Sequence, residues 1–332
     1  MKSVLTKQVI SLLMGVASVV IFQVAAHAQA DAYPNRPIKL VITWPVGGFA
    51  DTLGRTVANQ LGPILGQQIV VENRGGANGM LGADLVAKAA PDGYTLMFQS
   101  VTSHAINPTM YGKTPYSTEK DIVPLAVVAS VPMLLVANPS LPAKNIAELI
   151  ALAKKKPDEL SYASFGNGSA SHLAGELFTN QAGIKMTHIP YKGGGPAITD
   201  TLGGQVPMSF SAFGVALPHV KSGKLIALGT TGPTRARLLP DVPTIEEAGN
   251  LKAYEMSIVY AVWAPAGVPA PIVNKLTKAL EQVVASTAFK EKVSSDGGEV
   301  MNLSTPAESN AYFQKEMQRL SKIVKDGNIK AD

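Results

Sequence analysis

The sequence predicts an α/β fold in two lobes, each built on a mainly parallel sheet, with the chain crossing between the lobes twice through a hinge. Three observations carry that expectation. From Ile38 onward, short near-continuous apolar runs alternate with runs of helical period, the pattern of parallel strands covered by helices on both faces. The alternation comes in two series that part near Val131-Pro132. Two long apolar runs, Val127 to Ala137 and Met256 to Trp263, flank the second series and are placed to cross between lobes. A length of 332 residues agrees with about two domains.

The first series opens with IKLVITW (Ile38 to Trp44), a strand apolar on both faces. Asp51 to Leu65 follows with helical spacing, then the strand Gln68 to Asn73, a helix from Gly79 to Ala90, and the strand Tyr94 to Ser100. The second series sets helix Asn145–Lys156, strand Leu160–Ser164, helix Ser171–Ala182 and strand Met186–Pro190. Helix Pro196–Leu202, strand Val206–Phe210, helix Val215–Ser222 and strand Leu225–Gly229 complete it. After one more strand, Tyr254 to Trp263, the chain is expected to end in helices. Thr305-Pro306-Ala307-Glu308 reads as a capping box with proline at the first helical position, and Phe313, Met317, Leu320 and Val324 then mark one apolar face. The limits drawn from this are 31–130 plus 257–332 for the first lobe and 131–256 for the second.

Residues 1–30 read as a secretory signal peptide. Lys2 and Lys7 supply the basic region and Val9 to Phe22 the apolar one, and Ala26-His27-Ala28 and Ala28-Gln29-Ala30 are small-x-small cleavage sites. The uncharged stretch Gln8 to Ala30 is also long enough to serve as an uncleaved anchor. Two cleavage sites ahead of a proline-rich start favour removal near Ala28 or Ala30 and export of the rest. Removing Lys2 and Lys7 lowers the formal charge from +5 to +3. The dense basic run Lys154-Lys155-Lys156 ends a helix, where cations suit the dipole, and no basic stripe carries aromatics, so nucleic acid is not an expected partner. With 46% hydrophobic and 16% charged residues, extensive disorder is excluded. Absence of cysteine excludes disulfides, thiol nucleophiles and iron–sulfur ligation, and is silent about compartment.

Ligands of open parallel sheets bind beyond the carboxyl ends of the strands, so chemistry is sought in the strand-to-helix loops. These are Pro45 to Ala50, Ser100 to His104, Phe165 to Ala170, Tyr191 to Gly195 and Ser211 to Gly214. Their glycines and small residues let backbone N–H groups and helix N-termini approach a ligand, which suits a small carboxylate. Gly166-Asn167-Gly168 and Gly193-Gly194-Gly195 complete neither a dinucleotide fingerprint nor a phosphate loop. Neither a Gly-x-Ser-x-Gly elbow nor a His-Glu-x-x-His pair occurs, and His104, His172, His188 and His219 are scattered. His104 with Asp51 can form a general-base pair if their loops converge, but no activated nucleophile accompanies them, so no enzyme, cofactor or metal is expected. Asp51 reads either as a helix cap or as an organiser of the glycine loop and acceptor for a ligand. Phe49 reads either as core or as a lid.

The stretches YPNRPIKLVITWPVGGFADTLGR, VVENRGGANGMLGADLVAKAAPDGYTL, SHAINPTMY, LPAKNIAELIALAKKKP, YASFGNGSASHLAGELF, HIPYKGGGPAITDTLGGQVPMSF, LPDVPTIEEAG and WAPAGVP resemble the substrate-binding proteins of tripartite tricarboxylate transporters, the Bug family, over essentially all of Tyr33 to Asp332. The resemblance implies a periplasmic, two-lobed Venus-flytrap receptor that delivers a small organic carboxylate to a pair of membrane permease subunits. It further implies a cleft lined by Gly47, Gly48, Phe49, Ala50 and Asp51, by Ser100, Ser103 and His104, by Gly166, Asn167 and Ser169 in the loop running to His172, and by Ser211 near Phe210. Backbone groups and water would hold the carboxylate, with Lys192 the only basic side chain offered. Two departures from the family pattern stand out. Val46-Gly47-Gly48 replaces Pro-Gly-Gly, and Arg74-Gly75-Gly76-Ala77-Asn78-Gly79 replaces Arg-Pro-Gly-Ala-Gly-Gly. The ligand is therefore expected among dicarboxylates, tricarboxylates, acidic amino acids and aromatic carboxylates. The same scaffold can alternatively act as a sensor presenting its carboxylate to a membrane kinase.

Overall fold

A computed structural model describes residues 33–327 and Ile329. The expected signal segment and its cleavage sites lie outside the described residues. The chain begins with β1 (Ile38–Ile42), α1 (Phe49–Leu65), β2 (Ile69–Asn73), a single 3-10 turn at Ala77–Gly79, α2 (Met80–Ala87), β3 (Thr95–Ser100) and α3 (Val101–Tyr111). A long strand, β4 (Ile122–Ala137), leads to α4 (Ile146–Lys155), β5 (Ser161–Ser164), α5 (Ala170–Ala182), β6 (Thr187–Pro190), α6 (Gly194–Leu202), β7 (Met208–Ala212), α7 (Phe213–Lys221), β8 (Ile226–Thr230) and α8 (Ile245–Gly249). The return strand β9 (Ser257–Pro265) precedes α9 (Ala270–Ala285), α10 (Thr287–Ser295), β10 (Glu299–Leu303) and α11 (Pro306–Asp326).

Each half of the molecule has a parallel kernel. β1 lies between β2 and β3 and runs parallel to both. β5 occupies the same position between β6 and β7. Ile38, Leu40, Val41 and Ile42 are wholly buried, as a strand covered on both faces requires. Parallel pairing is confined to these triplets, which is less than the sequence suggested. β3–β9, β4–β9, β4–β10, β4–β7 and β4–β8 all pair antiparallel. An unbroken apolar run reports burial on both faces and not strand direction, so the crossing strands could not be told from parallel ones by composition.

The double crossing is made by β4 and β9. From Ile122 to Pro132, β4 pairs with β9, and from Met133 to Ala137 the same strand pairs with β7 and β8. β4 thus changes sheets between Pro132 and Met133, where proline has no N–H to continue the first ladder. At the other end of the β4–β9 ladder, where Trp263 lies opposite Pro124, the core is aromatic. Trp263 is fully buried, its indole N–H donates to the Gln99 carbonyl at 3.2 Å, and Phe313 of α11 packs edge-on against it at 5.2 Å. Burial of a side chain of this size stabilises by roughly 2–3 kcal/mol.

Two expectations near the C-terminus need correction. The segment Glu299–Leu303, expected within helices, is the strand β10 on the edge of β4. Thr305 does cap α11, accepting from the Glu308 N–H at 3.2 Å, but the Glu308 carboxylate takes the Thr305 hydroxyl at 2.7 Å. The box is therefore half-formed, whereas Thr244 and Glu247 build a complete one at α8. Phe313, Leu320 and Val324 are buried and Met317 packs partly against them. Among the described residues no helix is long and apolar enough to cross a membrane.

Candidate ligand-binding cleft

A cleft of about 280 Å³ opens where the two halves face each other. Its wall is assembled from helix beginnings. The residues that precede the first turns of α1, α3, α5, α6 and α7 are Gly48, Ser100, Ser169, Gly193 and Ala212, and all five lie on the lining. Ser100 and Ser169 use their hydroxyls on their own helices, accepting from the Ser103 N–H at 3.2 Å and the His172 N–H at 3.3 Å. The other three helices have no side-chain cap, so their N-terminal dipoles face the cleft without a protein acceptor from the cap position. Five positive helix ends around one cavity favour an anion, each by about 0.3–2 kcal/mol.

The β1–α1 loop is held by Asp51. Its Oδ2 accepts from the Gly47 N–H at 3.0 Å, and its Oδ1 from Arg55 Nε at 2.9 Å and from Asn73 Nδ2 at 2.9 Å. Burial raises the carboxyl's affinity for a proton, but hydrogen bonds from Gly47, Arg55 and Asn73 outweigh it and hold the group below the usual carboxylate range. Asp51 is therefore the organiser of the loop. Gly48 is the cap, and Asp51 is absent from the lining. Gly47 adopts φ +83°, the left-handed conformation that lets the chain turn at the mouth. Phe49 belongs to the wall and not to a lid: it is 9% exposed, with its ring edge-on to Tyr260 at 5.5 Å. The exposed apolar residue at the loop tip is Val46, at 71%.

Of the residues singled out in the sequence, Gly47, Gly48, Phe49, Ala50, Ser100, Ser103, Ser169 and Lys192 meet on this lining. Lys192 is exposed and is the one charged side chain among the described lining residues. Asp51, His104, Gly166, Asn167 and Ser211 do not reach it. Because α3 follows Ser100 directly, Ser103 faces the cleft while His104, one residue or about 100° further round the helix, turns into the core. There His104 is fully buried, stacked on Tyr116 at 5.6 Å and tilted against Trp263 at 4.7 Å. Burial pushes its pKa down to about 4, against a backbone hydrogen bond at Thr118, so the ring is neutral. With His104 in the core against Tyr116 and Trp263, and both Asp51 oxygens taken by Gly47, Arg55 and Asn73, the Asp51–His104 pair does not form. Ser211 is buried in β7 opposite Leu134. Gly166 and Asn167 form the back of the β5–α5 loop, where Gly166 at φ +129° brings its Cα so near the Tyr191 carbonyl that a Cβ would lie 2.9 Å from the oxygen.

The lining also contains residues outside the set expected from sequence. Trp44 and Phe165 add aromatic surface at the mouth, and Ile258 and Tyr260 of β9 add the strand that crosses between lobes. Tyr260 stacks flat on Phe98 at 5.4 Å, and burial keeps its hydroxyl protonated. Its signal was present in the apolar run from Met256 to Trp263, since a strand that crosses a two-lobed fold necessarily passes beneath the cleft.

Comparison with known proteins agrees with this architecture. Residues 53–329 match the tripartite tricarboxylate transporter family receptor, TctC. BugT of Bordetella pertussis is 36% identical over 308 residues, covering 92% of this chain and 94% of BugT. Among solved structures, R. palustris Rpa4515 with adipate superposes with a TM-score of 0.85 at 33% identity, covering 90% of this chain and 99% of that one. MatC from Rhodopseudomonas palustris with bound malate gives 0.81 at 31% identity, covering 88% and 100%. The two-lobed α/β fold and the resemblance to Bug proteins both hold, and the chain belongs to the TctC family of periplasmic solute-binding receptors.

Proposed function

We propose that the protein is a periplasmic receptor that captures a small organic carboxylate between its lobes and passes it, chemically unchanged, to the membrane permease subunits of a tripartite tricarboxylate-type transporter. The observation that carries this reading is the convergence of five helix N-termini on one cleft whose described lining is mostly apolar and bears a single cation. The relatives solved with adipate and with malate support a carboxylate.

The carboxylate enters the open cleft and meets α1 and α3 on one side, and closure brings α5, α6 and α7 against it from the other. Micromolar affinity corresponds to about −8 kcal/mol. One helix end supplies about 0.3–2 kcal/mol, so binding requires both sides at once and hence closure. The lobes divide into 31–130 plus 257–332 and 131–256, limits supported by the sheet change of β4 after Pro132 and by the start of β9 at Ser257. Residues 1–30 direct export and are removed.

The test is mass spectrometry of the purified mature protein under native and denaturing conditions, followed by thermal shifts with adipate, malate, glutamate, citrate and benzoate. A receptor carries or binds at least one such compound with its mass unchanged and melts at a higher temperature with it. No shift with any carboxylate, or chemical conversion of the one bound, rejects the reading.

A further inference from the structure

Beside the cleft, and outside its lining, two side chains of the first lobe reach across to the β5–α5 loop of the second. Asn78 Nδ2 donates to the Gly168 carbonyl at 2.7 Å, and the Tyr111 hydroxyl donates to the Asn167 carbonyl at 3.0 Å. Both donors are prepared by their own lobe. The Asn78 amide also donates to Asn107 Oδ1 at 2.8 Å, and Asn107 Nδ2 returns a bond to the Asn78 carbonyl at 3.4 Å, which fixes the orientation of the Asn78 side chain. Asn107 is fully buried on α3. Asn78 sits at φ 51°, ψ 37°, a left-handed conformation that asparagine tolerates better than most residues, and it stands where the family pattern has glycine. Burial raises the pKa of the Tyr111 hydroxyl, which keeps it a donor. On the receiving side Gly168 has φ +69°, and a Cβ there would lie 3.2 Å from Tyr111 Oη and 3.3 Å from Asn78 Nδ2. A side chain at Gly168 would crowd both donors.

We propose that Asn78 and Tyr111 form a clasp that holds the lobes closed irrespective of the ligand, so that they set the overall strength and lifetime of binding and leave ligand preference to the cleft. The proposal rests on the receptor reading. A ligand that binds the closed form has an apparent Kd equal to the intrinsic one divided by the closed fraction, so a residue that acts only on that fraction multiplies every Kd by the same factor. A neutral hydrogen bond is worth about fivefold in such an equilibrium.

Tyr111→Phe keeps the ring, and Asn78→Gly keeps the left-handed backbone while also removing the donor to Asn107 Oδ1. In the ligand-free protein, small-angle scattering should give a larger radius of gyration for the double variant than for wild type. Titration and stopped-flow with adipate and with malate as probes should show each single variant weakened by one common factor, at most about fivefold, for every probe that binds, through faster dissociation. Gly168→Ala should weaken binding in the same way. An unchanged radius together with unchanged dissociation overturns the clasp, as does weakening confined to one probe. If wild type binds no carboxylate, the receptor reading fails, and the scattering comparison still decides whether Asn78 and Tyr111 close the lobes.

Discussion

In the β1–α1 loop a buried carboxylate holds the turn, whereas in the β5–α5 loop neutral groups and the opposite lobe share that task. Asp51 gathers the Gly47 N–H, Arg55 and Asn73, all from its own lobe. In the second loop the Phe165 N–H goes to Ser171 Oγ at 2.8 Å, the Gly166 N–H to Ser164 Oγ at 3.1 Å and the Gly168 N–H to His172 Nδ1 at 3.2 Å. The carbonyls of Asn167 and Gly168 are then taken by Tyr111 and Asn78 from across the cleft. The first loop is thus complete within one lobe and is organised before a ligand arrives. The second has its full set of partners only with both lobes in contact, which is where the proposed clasp would act.

The largest expected effect comes from removing the charge in the first loop. Asp51→Ala leaves three donors without their common acceptor, a cost of about 2 kcal/mol because Gly47 and Arg55 can turn partly to water. Carboxylate affinity should fall at least about tenfold, since a loosened Gly47-Gly48 turn no longer aims the start of α1. Ser171→Ala in the second loop, which removes one neutral acceptor, should cost about half as much stability. Urea unfolding and titration measure both. Equal losses for the two variants would break the distinction between a charged and a neutral anchor.

Acidification should separate the loops next. His188 lies behind the second loop with Nε2 at 2.5 Å from Ser164 Oγ and its ring stacked on His172 at 3.9 Å. Burial, reinforced by the neighbouring His172, pushes its pKa down to about 3. A histidine depressed in the folded state stabilises fully above its unfolded value near 6.5, and that contribution is lost as pH falls from there toward 3. Asp51, held below its ordinary 3.8, keeps its contribution until the pH drops through the carboxylate range. Between pH 6.5 and 4 the second loop therefore weakens while the first does not, by about 1 kcal/mol at pH 5 after allowance for partial solvent screening. Buried His104, with its pKa near 4, titrates over much of the same window from the core. His188→Gln and His104→Gln, compared by melting at pH 7 and pH 5, divide the slope between them. A slope unaltered by His188→Gln would remove the second loop from the account.

Much of this arrangement was legible in the residues, and the exceptions have physical causes. Alternating apolar and helical runs mark both parallel triplets, because burial on two faces leaves a nearly continuous apolar stretch such as Ile38 to Ile42, broken only by Lys39. Sequence patterning places the helix starts at the cleft too late. Phe49, Gly194 and Phe213 already lie in first turns, and α3 follows β3 with no intervening loop. Glycine in the first turns of α6 and α7, and Val101, Thr102 and Ser103 in that of α3, have poor helix propensity, and tertiary packing overrides it. Without a helix from Val101, the pattern leaves His104 in a loop facing the ligand, whereas it is a core residue on α3. The apolar run locates the crossing strand beneath the cleft, but every residue from Ser257 to Pro265 is buried, so nothing in the composition singles out Ile258 and Tyr260 as the ones that border it.

The smallest effect isolates the caps that the two lobes share. Ser100 and Ser169 each accept one N–H at the start of a cleft helix, but Ser169 also meets Ser171 Oγ at 3.0 Å and so belongs to the neutral network of the second loop. Replacing either serine with alanine removes a cap worth about 1 kcal/mol. Ser100→Ala should cost close to that amount, and Ser169→Ala somewhat more because the Ser171 hydroxyl loses a partner. The two sites are held by different lobes with no shared hydrogen bond, so the double variant should show the sum of the single losses within about 0.5 kcal/mol. A marked departure from additivity in ligand-free protein would mean that the two loops already support each other before closure, and the contrast between a self-contained loop and a closure-dependent one would have to be abandoned.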